Sequence, residues 1–145
     1  MQTVTLPFKR LDNNAVIPRY AHDGDSGMDV YALEGAEIPA YRSAKVRTGI
    51  ACDIPSGYEL QVRPRSGLAA KKGVVAAFGT VDMGYRGEIG VTLFNHSDKP
   101  VEIASGDRVA QIVLAPVVRA YPVETQGALS ETERGEGGFG STGLR

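Results

Sequence analysis

The chain has 145 residues, the size of one domain, and its composition limits the fold. Its 18 glycines and 8 prolines leave no uninterrupted stretch longer than residues 8–17, so helices of ordinary length have little room. These breaks disfavour a helix bundle, a TIM barrel and a doubly wound α/β domain. An apolar fraction of 42% with 23% charged residues argues against a disordered chain. We expect a turn-rich β protein.

The charges nearly balance, because 16 Lys and Arg face 17 Asp and Glu, for a net charge of −1. No overall field favours nucleic acid or an anionic membrane, and we expect neither as a partner. Eleven of the cations are arginines, which bind phosphate bidentately, so a local anion site remains open. A single cysteine, Cys52, and the lack of a signal-peptide pattern predict a cytoplasmic protein.

Apolar and polar residues alternate along several segments, which is typical of strands. In chain order, strands are predicted at residues 46–54, 58–62, 89–93 and 109–118. The last run is nearly all apolar and predicts a strand buried on both faces. Only residues 66–72 and 129–134 could hold a helical turn or two. Together with turn signals at 53–57 and 95–100, the pattern predicts an all-β antiparallel barrel or jelly roll.

The two ends of the chain differ in composition, although no repeat or second domain is visible. Residues 1–120 carry the predicted strands and form the barrel core of a single domain spanning 1–145. Residues 121–133 are a connector. Residues 134–145 are rich in glycine and are predicted to form a flexible C-terminal arm.

Several short patterns carry no chemistry in this context. The glycines at 135, 137 and 140 match a dinucleotide fingerprint, but no strand precedes them and no helix can follow. The sequon beginning at Asn95 is interpreted as a hairpin turn. His22 and His96 are interpreted as surface residues rather than catalysts.

Four segments combine residue types that suit a phosphorylated ligand. Residues 64–68 follow a strand and place Arg65 beside free backbone N–H groups, which is a phosphate-binding arrangement or an ordinary turn. Asp82 and Tyr85 lie three apart beside glycines, in a ligand site or a hairpin loop. Gln111 is polar within an apolar run and requires a partner. The arm contains Arg134 and Phe139, which are unusual in a mere tail.

Together these segments resemble the homotrimeric deoxyuridine triphosphatases (dUTPases), over nearly the whole chain. Five segments carry the resemblance in the same order and spacing. They are residues 21–30 (AHDGDSGMDV), 63–73 (RPRSGLAAKKG), 79–88 (GTVDMGYRGE), 106–111 (GDRVAQ) and 134–143 (RGEGGFGSTG).

The resemblance implies a distorted jelly-roll homotrimer with three active sites, each assembled from three chains, and a C-terminal arm exchanged between subunits. It implies hydrolysis of dUTP to dUMP and pyrophosphate with Mg²⁺, by water attack on the α-phosphorus. This reaction keeps uracil out of DNA and supplies dUMP for dTMP synthesis.

The resemblance also assigns roles to residues of this sequence. Asp82 corresponds to the catalytic carboxylate that deprotonates the attacking water, and Tyr85 to the ring that excludes a 2′-OH. Asp29 corresponds to the carboxylate that reaches the metal through water. The remaining substrate-binding positions contact the phosphates or are supplied by the arm: Arg65, Ser66, Gly67, Gln111, Arg134, Phe139, Gly140, Ser141 and Thr142.

The sequence departs from the resemblance at Ala76, where many bacterial members have an asparagine that helps to read uracil. We therefore expect backbone groups to read the base, at Gly79, Thr80, Val81 and Gly90. Two alternatives stay open at this point. One is the related trimeric dCTP deaminase, possibly bifunctional, and the other is a non-catalytic jelly-roll regulatory protein.

Overall fold

The structure is a computed structural model, and it describes residues 3–138. These residues form eleven short strands and one helix. In chain order they are β1 (Phe8–Arg10), β2 (Met28–Tyr31), β3 (Ala36–Ile38), β4 (Ser43–Val46), β5 (Ile50–Cys52), β6 (Tyr58–Arg63), α1 (Ser66–Lys72), β7 (Val74–Ala76), β8 (Gly79–Val81), β9 (Val91–Asn95), β10 (Val101–Ile103) and β11 (Arg108–Pro116).

The strands form four small antiparallel sheets. Two sheets are pairs, β1 with β5 and β3 with β10. A four-stranded sheet has the order β2-β11-β6-β8, and a three-stranded sheet has the order β4-β9-β7. The mostly β class predicted from the sequence is confirmed, with α1 as its one helix among the described residues.

One hydrophobic core lies between the sheets. Alternate residues of β6 face inward, so Leu60 and Val62 are buried while Gln61 is only partly so. Leu93 of β9 and Ile112 of β11 are fully buried in the same cluster. Burial of each such side chain stabilises the fold by at most ~1.5–3 kcal/mol, since unfolded chains already hide some surface.

The predicted strand at 46–54 is two strands in the structure. The chain turns at Gly49, whose φ of 68° lies in the left-handed region. A Cβ at this position would lie 2.9 Å from the Cβ of Ala15, so a side chain has neither the conformation nor the space. Consequently β4 joins the three-stranded sheet, whereas β5 pairs with β1.

The predicted burial of 109–118 on both faces is wrong for its second half. Val109 and Ile112 are fully buried, but Val113 and Leu114 are only half-buried. They line an open cavity of about 870 Å³, and Val118 beyond the strand is 95% exposed. In the single chain, the end of β11 therefore presents apolar side chains to solvent.

Two other local predictions have different outcomes. The sequence left room for a helical turn or two at two places, and α1 forms at the first of them. No helix forms at the second, 129–134, whose end enters a turn in which the Gly135 N–H donates to the Thr132 carbonyl. Within residues 3–138, no helix is long and apolar enough to cross a membrane.

The Asn95 turn is also different from the prediction, because it joins two sheets rather than two strands of a hairpin. Asn95 is only 2% exposed. Its amide donates hydrogen bonds to the carbonyls of Ile38 (3.0 Å) and Lys99 (2.7 Å). The side chain is a structural link between β3 and the start of β10.

Candidate active site

A polar cavity of about 320 Å³ lies where β6 ends and α1 begins. Arg65 is the last extended residue before the helix, and no side chain caps the helix. The N–H groups of its first turn, from Ser66 onward, have no partner within the helix and are lined up for an anion. The predicted residues Arg65, Ser66 and Gly67 all line this cavity.

Asp29 of β2 joins two arginines at the back of the same cavity. Its carboxylate is 2.9 Å from the Arg65 Nε and 3.3 Å from the Arg108 Nη1. Asp29 is buried, and a buried carboxylate needs such partners to offset its lost hydration. The pair of guanidinium groups is thereby held in place before any ligand arrives, with one positive charge in excess.

Gln111 has the partner that its position in an apolar strand requires. Its Nε2 donates to the Pro64 carbonyl at 2.9 Å, which ties β11 to the start of the phosphate-binding turn. A Cβ on Gly27 would collide with the Gln111 Oε1, so glycine at 27 leaves room for this side chain. The second N–H of the amide is available to an anion in the cavity.

A second cavity, of about 250 Å³, lies beside β8, at the edge of the four-stranded sheet opposite to β2. It is lined by the end of β8, by Lys45 of β4 and by the segment between β8 and β9, residues 82–90, which we call the 82–90 loop. The predicted residues Thr80, Val81, Asp82, Tyr85 and Gly90 line it, and Gly79 begins the adjoining strand. Among residues 3–138, no hydrogen bond or ion pair engages the Asp82 carboxylate, so its oxygens are available to a ligand or to water.

The expected hairpin around Asp82 is a crossing between sheets. β8 pairs with β6 in one sheet, whereas β9 pairs with β4 and β7 in the other. The 82–90 loop is therefore not held by a ladder between its two flanking strands, and other contacts must fix it.

Those contacts come from residues 47–53, on and around β5. The Glu88 carboxylate accepts hydrogen bonds from the N–H groups of Gly49 (2.8 Å) and Thr48 (3.2 Å), and from the Arg47 Nε at 3.3 Å. Burial alone would raise the pKa of Glu88. The hydrogen bond from Gly49 and the Arg47 guanidinium outweigh that effect and lower the pKa below its ordinary value.

The Tyr85 ring folds back over the 82–90 loop. Its hydroxyl donates to the Glu88 carbonyl at 2.9 Å, and the side chain is 46% exposed. A Cβ on Gly87 would overlap the Tyr85 hydroxyl, so glycine at 87 is needed for the ring to lie there. The ring consequently forms one wall of the cavity that holds Asp82.

The remaining predicted residues lie apart from both cavities or outside the described chain. Arg134 forms a hydrogen bond to the Gly137 carbonyl at 2.8 Å and lines neither cavity. Phe139, Gly140, Ser141 and Thr142 lie outside the described residues. Ala76 is buried in β7 and lines neither of the two cavities.

Several residues that line the cavities were not predicted as site residues from the sequence. Arg108 and His22 line the phosphate-type cavity, and Lys45 and Glu88 line the other. His22, Arg108 and Glu88 lie inside segments that carried the resemblance, so a signal was present for these three. Lys45 gave no signal, because it reaches the site only through the pairing of β4 with β9.

The donor groups fit a weakly held magnesium ion. Among the described residues, no group of three or more His, Cys, Asp or Glu side chains could hold a metal. Asp29 offers a single carboxylate, and both its oxygens already contact arginines. Such a site suits Mg²⁺ that is bound chiefly by substrate phosphates and water.

The fold and its two cavities define a β protein with an arginine-lined cavity suited to an anion and a separate cavity that holds a carboxylate and a tyrosine. The dUTPase family model matches residues 13–143, and the chain belongs to the dUTPase family. A relative from Picosynechococcus sp., a deoxyuridine 5'-triphosphate nucleotidohydrolase, is 50% identical over 140 residues, which are 95% of this chain and 98% of the relative.

Solved structures of phage proteins share the fold. The Staphylococcus bacteriophage 80alpha dUTPase with dUpNHpp superposes with a TM-score of 0.91 at 30% identity, over 98% of this chain and all (100%) of that one. The D95N dUTPase of phage phi11 of S. aureus, whose structure describes coordination of a structural Mg(II) ion, gives a TM-score of 0.80 at 25% identity. That match covers 86% of this chain and 98% of the phage chain.

Proposed function

We propose that this member of the dUTPase family hydrolyses dUTP to dUMP and pyrophosphate by attack of water on the α-phosphorus. The observation that carries the proposal is the pairing of two complementary cavities. One offers arginines and free N–H groups for a triphosphate, and the other offers a carboxylate and an aromatic ring for a nucleoside. The family supplies the identity of the substrate.

Asp82 is the general base in this mechanism. Its carboxylate takes a proton from a water molecule, whose oxygen forms the new bond to the α-phosphorus while the bond to the pyrophosphate oxygen breaks. Positioned general-base assistance of this kind contributes ~10²–10⁴-fold to a rate. The free Asp82 carboxylate, next to the Tyr85 ring, supports this role.

The anion cavity supplies charge stabilisation rather than covalent chemistry. Arg65, Arg108 and the α1 N–H groups are positioned for phosphate oxygens, whose charge builds up as pyrophosphate leaves. When Mg²⁺ is bound with the triphosphate, it neutralises further charge on those oxygens. Asp29 joins the two arginines through its two carboxylate oxygens, and it would reach the Mg²⁺ through a water molecule.

The separation of the two cavities supports a trimer in which neighbouring chains complete each site. Asp29 in β2 and Asp82 after β8 lie three strand spacings apart, ~14 Å, and about four residues out of step along the strands, a further ~13 Å. The Arg65 side chain turns toward β2 and Arg108, away from β8. Asp82 of one chain therefore suits the phosphates held by another.

The apolar end of β11 supports the same assembly. Val113, Leu114 and Pro116 are open to a large cavity, and Val118 and Tyr121 beyond them are almost fully exposed. A second chain packed on this surface would bury it. We propose a jelly-roll homotrimer whose residues 134–145, including Arg134 and Phe139, extend to a neighbouring site.

The proposed location of the protein is the cytoplasm.

An isotope experiment tests the reaction. In ¹⁸O-water with Mg²⁺, the label should appear in dUMP and not in pyrophosphate, and EDTA should abolish turnover until Mg²⁺ is restored. Mass spectrometry of the products measures both results. Label in pyrophosphate, release of orthophosphate, or ammonia release from dCTP without dUTP hydrolysis would overturn the proposal.

Sugar selection is assigned to Tyr85. Replacing Tyr85 with Ala should raise kcat/KM for UTP relative to that for dUTP by about 10-fold or more, because it removes the ring that would meet a 2′-OH. Steady-state kinetics with both nucleotides measure the ratio. Tyr20→Ala is the matched control, because that exposed tyrosine lies outside the nucleoside cavity. An unchanged ratio in Tyr85→Ala would assign sugar selection to another group.

A further inference from the structure

We propose that Glu88 is a positioning residue that locks the 82–90 loop against residues 47–50 and so sets both the turnover rate and the discrimination between uracil and thymine. The inference rests on the proposed roles of Asp82 and Tyr85 within that loop. Glu88 itself has no role in the chemistry: its carboxylate is occupied by protein groups on both oxygens.

The first observation is that the 82–90 loop lacks the support of a hairpin. Its flanking strands diverge into different sheets, so no ladder between β8 and β9 restrains it. A loop that carries a general base must nevertheless be held closely, because small displacements of catalytic groups cost large factors in rate. The restraint has to come from contacts at the loop itself.

The second observation is that both carboxylate oxygens of Glu88 bind residues 47–49 and so restrain the loop. Its Oε1 accepts both N–H groups of the Thr48–Gly49 peptide turn, and its Oε2 accepts from Arg47. Hydrogen bonds to a charged acceptor are stronger than those between neutral groups. The turn they bind is itself fixed, since Gly49 packs against Ala15 and Leu33 in a conformation that only glycine adopts readily.

The third observation links this contact to the reacting groups. The Glu88 carbonyl accepts the Tyr85 hydroxyl at 2.9 Å, so the same residue fixes the wall of the nucleoside cavity. At the next residue, the Ile89 N–H donates to Ile50 at 2.9 Å, and the Ile89 carbonyl accepts from the buried Thr48 hydroxyl. A shift of Glu88 would therefore move the cavity rim up to Gly90, one of the backbone positions expected to read the base, and would weaken the exclusion of a thymine methyl group.

A second clamp acts on the other half of the loop and provides a comparison. Arg86 is 2.6 Å from the Asp53 carboxylate and donates to the Met83 and Tyr85 carbonyls. Both groups of this ion pair are more than half exposed, whereas the Glu88 side chain is 26% exposed. Because exposed ion pairs contribute little, the Glu88 contacts are the stronger of the two restraints.

Replacement of Glu88 tests the inference in the full-length enzyme. In Glu88→Ala, kcat for dUTP should fall by about 10-fold or more, and the dUTP/dTTP ratio of kcat/KM should narrow by about 10-fold. Glu88→Gln keeps an acceptor for the two N–H groups but loses the charge facing Arg47, so its effects should be smaller. Glu34→Gln is the matched control: it also removes a carboxylate near Arg47 (3.8 Å) but has no contact with the loop, and both quantities should stay unchanged.

Hydrogen exchange provides a readout independent of activity. Amides at Thr48, Gly49 and Ile89 should exchange faster in both Glu88 variants than in Glu34→Gln, while amides of β6 and β11 keep their protection. Variants that have a lower melting temperature but wild-type kcat and an unchanged dUTP/dTTP ratio would overturn the inference. If Glu88→Ala fails to fold, Glu88→Gln decides by the same criteria.

An Asp82→Asn enzyme in the same assays separates the inference from the proposed function. If Asp82→Asn is inactive while the Glu88 variants behave like wild type, only the role of Glu88 is wrong. If Asp82→Asn turns over dUTP at the wild-type rate, the proposed mechanism fails instead.

Discussion

Asp82→Asn should lower kcat for dUTP by at least ~10²-fold while dUTP still binds, because an amide cannot accept the proton from the attacking water. The substitution keeps the size of the side chain. It also keeps the backbone turn, in which the Tyr85 N–H donates to the Asp82 carbonyl at 3.0 Å. Single-turnover kinetics give the chemical rate, and calorimetry with a non-hydrolysable dUTP analogue gives the affinity.

The matched control is Asp53→Asn. Asp53 is an exposed aspartate near the same loop, and its carboxylate pairs with Arg86. Its effect on kcat should be slight compared with that of Asp82→Asn. Near wild-type turnover by the Asp82→Asn enzyme would remove Asp82 from the role of general base. An equal loss in both variants would mean that the loop's shape, not the Asp82 carboxylate, limits the rate.

Mixing two inactive variants should restore activity. Asp82→Asn lacks the general base, and Arg65→Ala lacks a phosphate contact, with Asp29 still paired to Arg108. If one site draws Asp82 and Arg65 from different chains of a trimer, random reassortment leaves about a quarter of the sites intact, since each supplier is the right chain half the time. Activity after joint unfolding and refolding measures the outcome.

The experiment in which two inactive variants are mixed has a direct control. Asp82→Asn chains mixed with chains carrying both substitutions should stay inactive, because no chain then supplies Asp82. Light scattering should find a trimer in every sample. An absence of restoration in well-formed mixed trimers would mean that both residues of a site come from one chain, in conflict with the strand geometry described above.

The sequence alone predicted the elements that depend on local pattern. The alternation in residues 58–62 became β6, and the break after it became the start of α1 beside Arg65. These features follow from residue spacing and helix-start chemistry, which act over a few residues. The grouping of Arg65 with Gln111 was also predicted, although only the resemblance linked these distant positions.

Features that depend on tertiary placement were not predicted. The run 46–54 showed no sign of dividing at Gly49, because the reason is the proximity of Ala15 from a distant segment. The apolar run 109–118 predicted burial on both faces, but an apolar pattern cannot show that the end of the run lies at the surface of the chain. Glu88 lies in a segment that carried the resemblance, but its proposed positioning role depends on contacts with residues 47–49, about forty positions earlier.

The single cysteine, Cys52, makes the local opening of β5 measurable by chemical modification. Cys52 is 5% exposed, and burial, reinforced by the negative charge of Asp53 and only partly opposed by Arg86, raises the pKa of its thiol to about 11. The thiolate is the form that reacts, so at neutral pH an alkylating reagent modifies Cys52 only when β5 opens. When closing is faster than alkylation, the rate of modification measures the free energy of that opening. Ile50 of the same strand accepts a hydrogen bond from the 82–90 loop. Nucleotide binding at the loop should therefore slow the alkylation of Cys52.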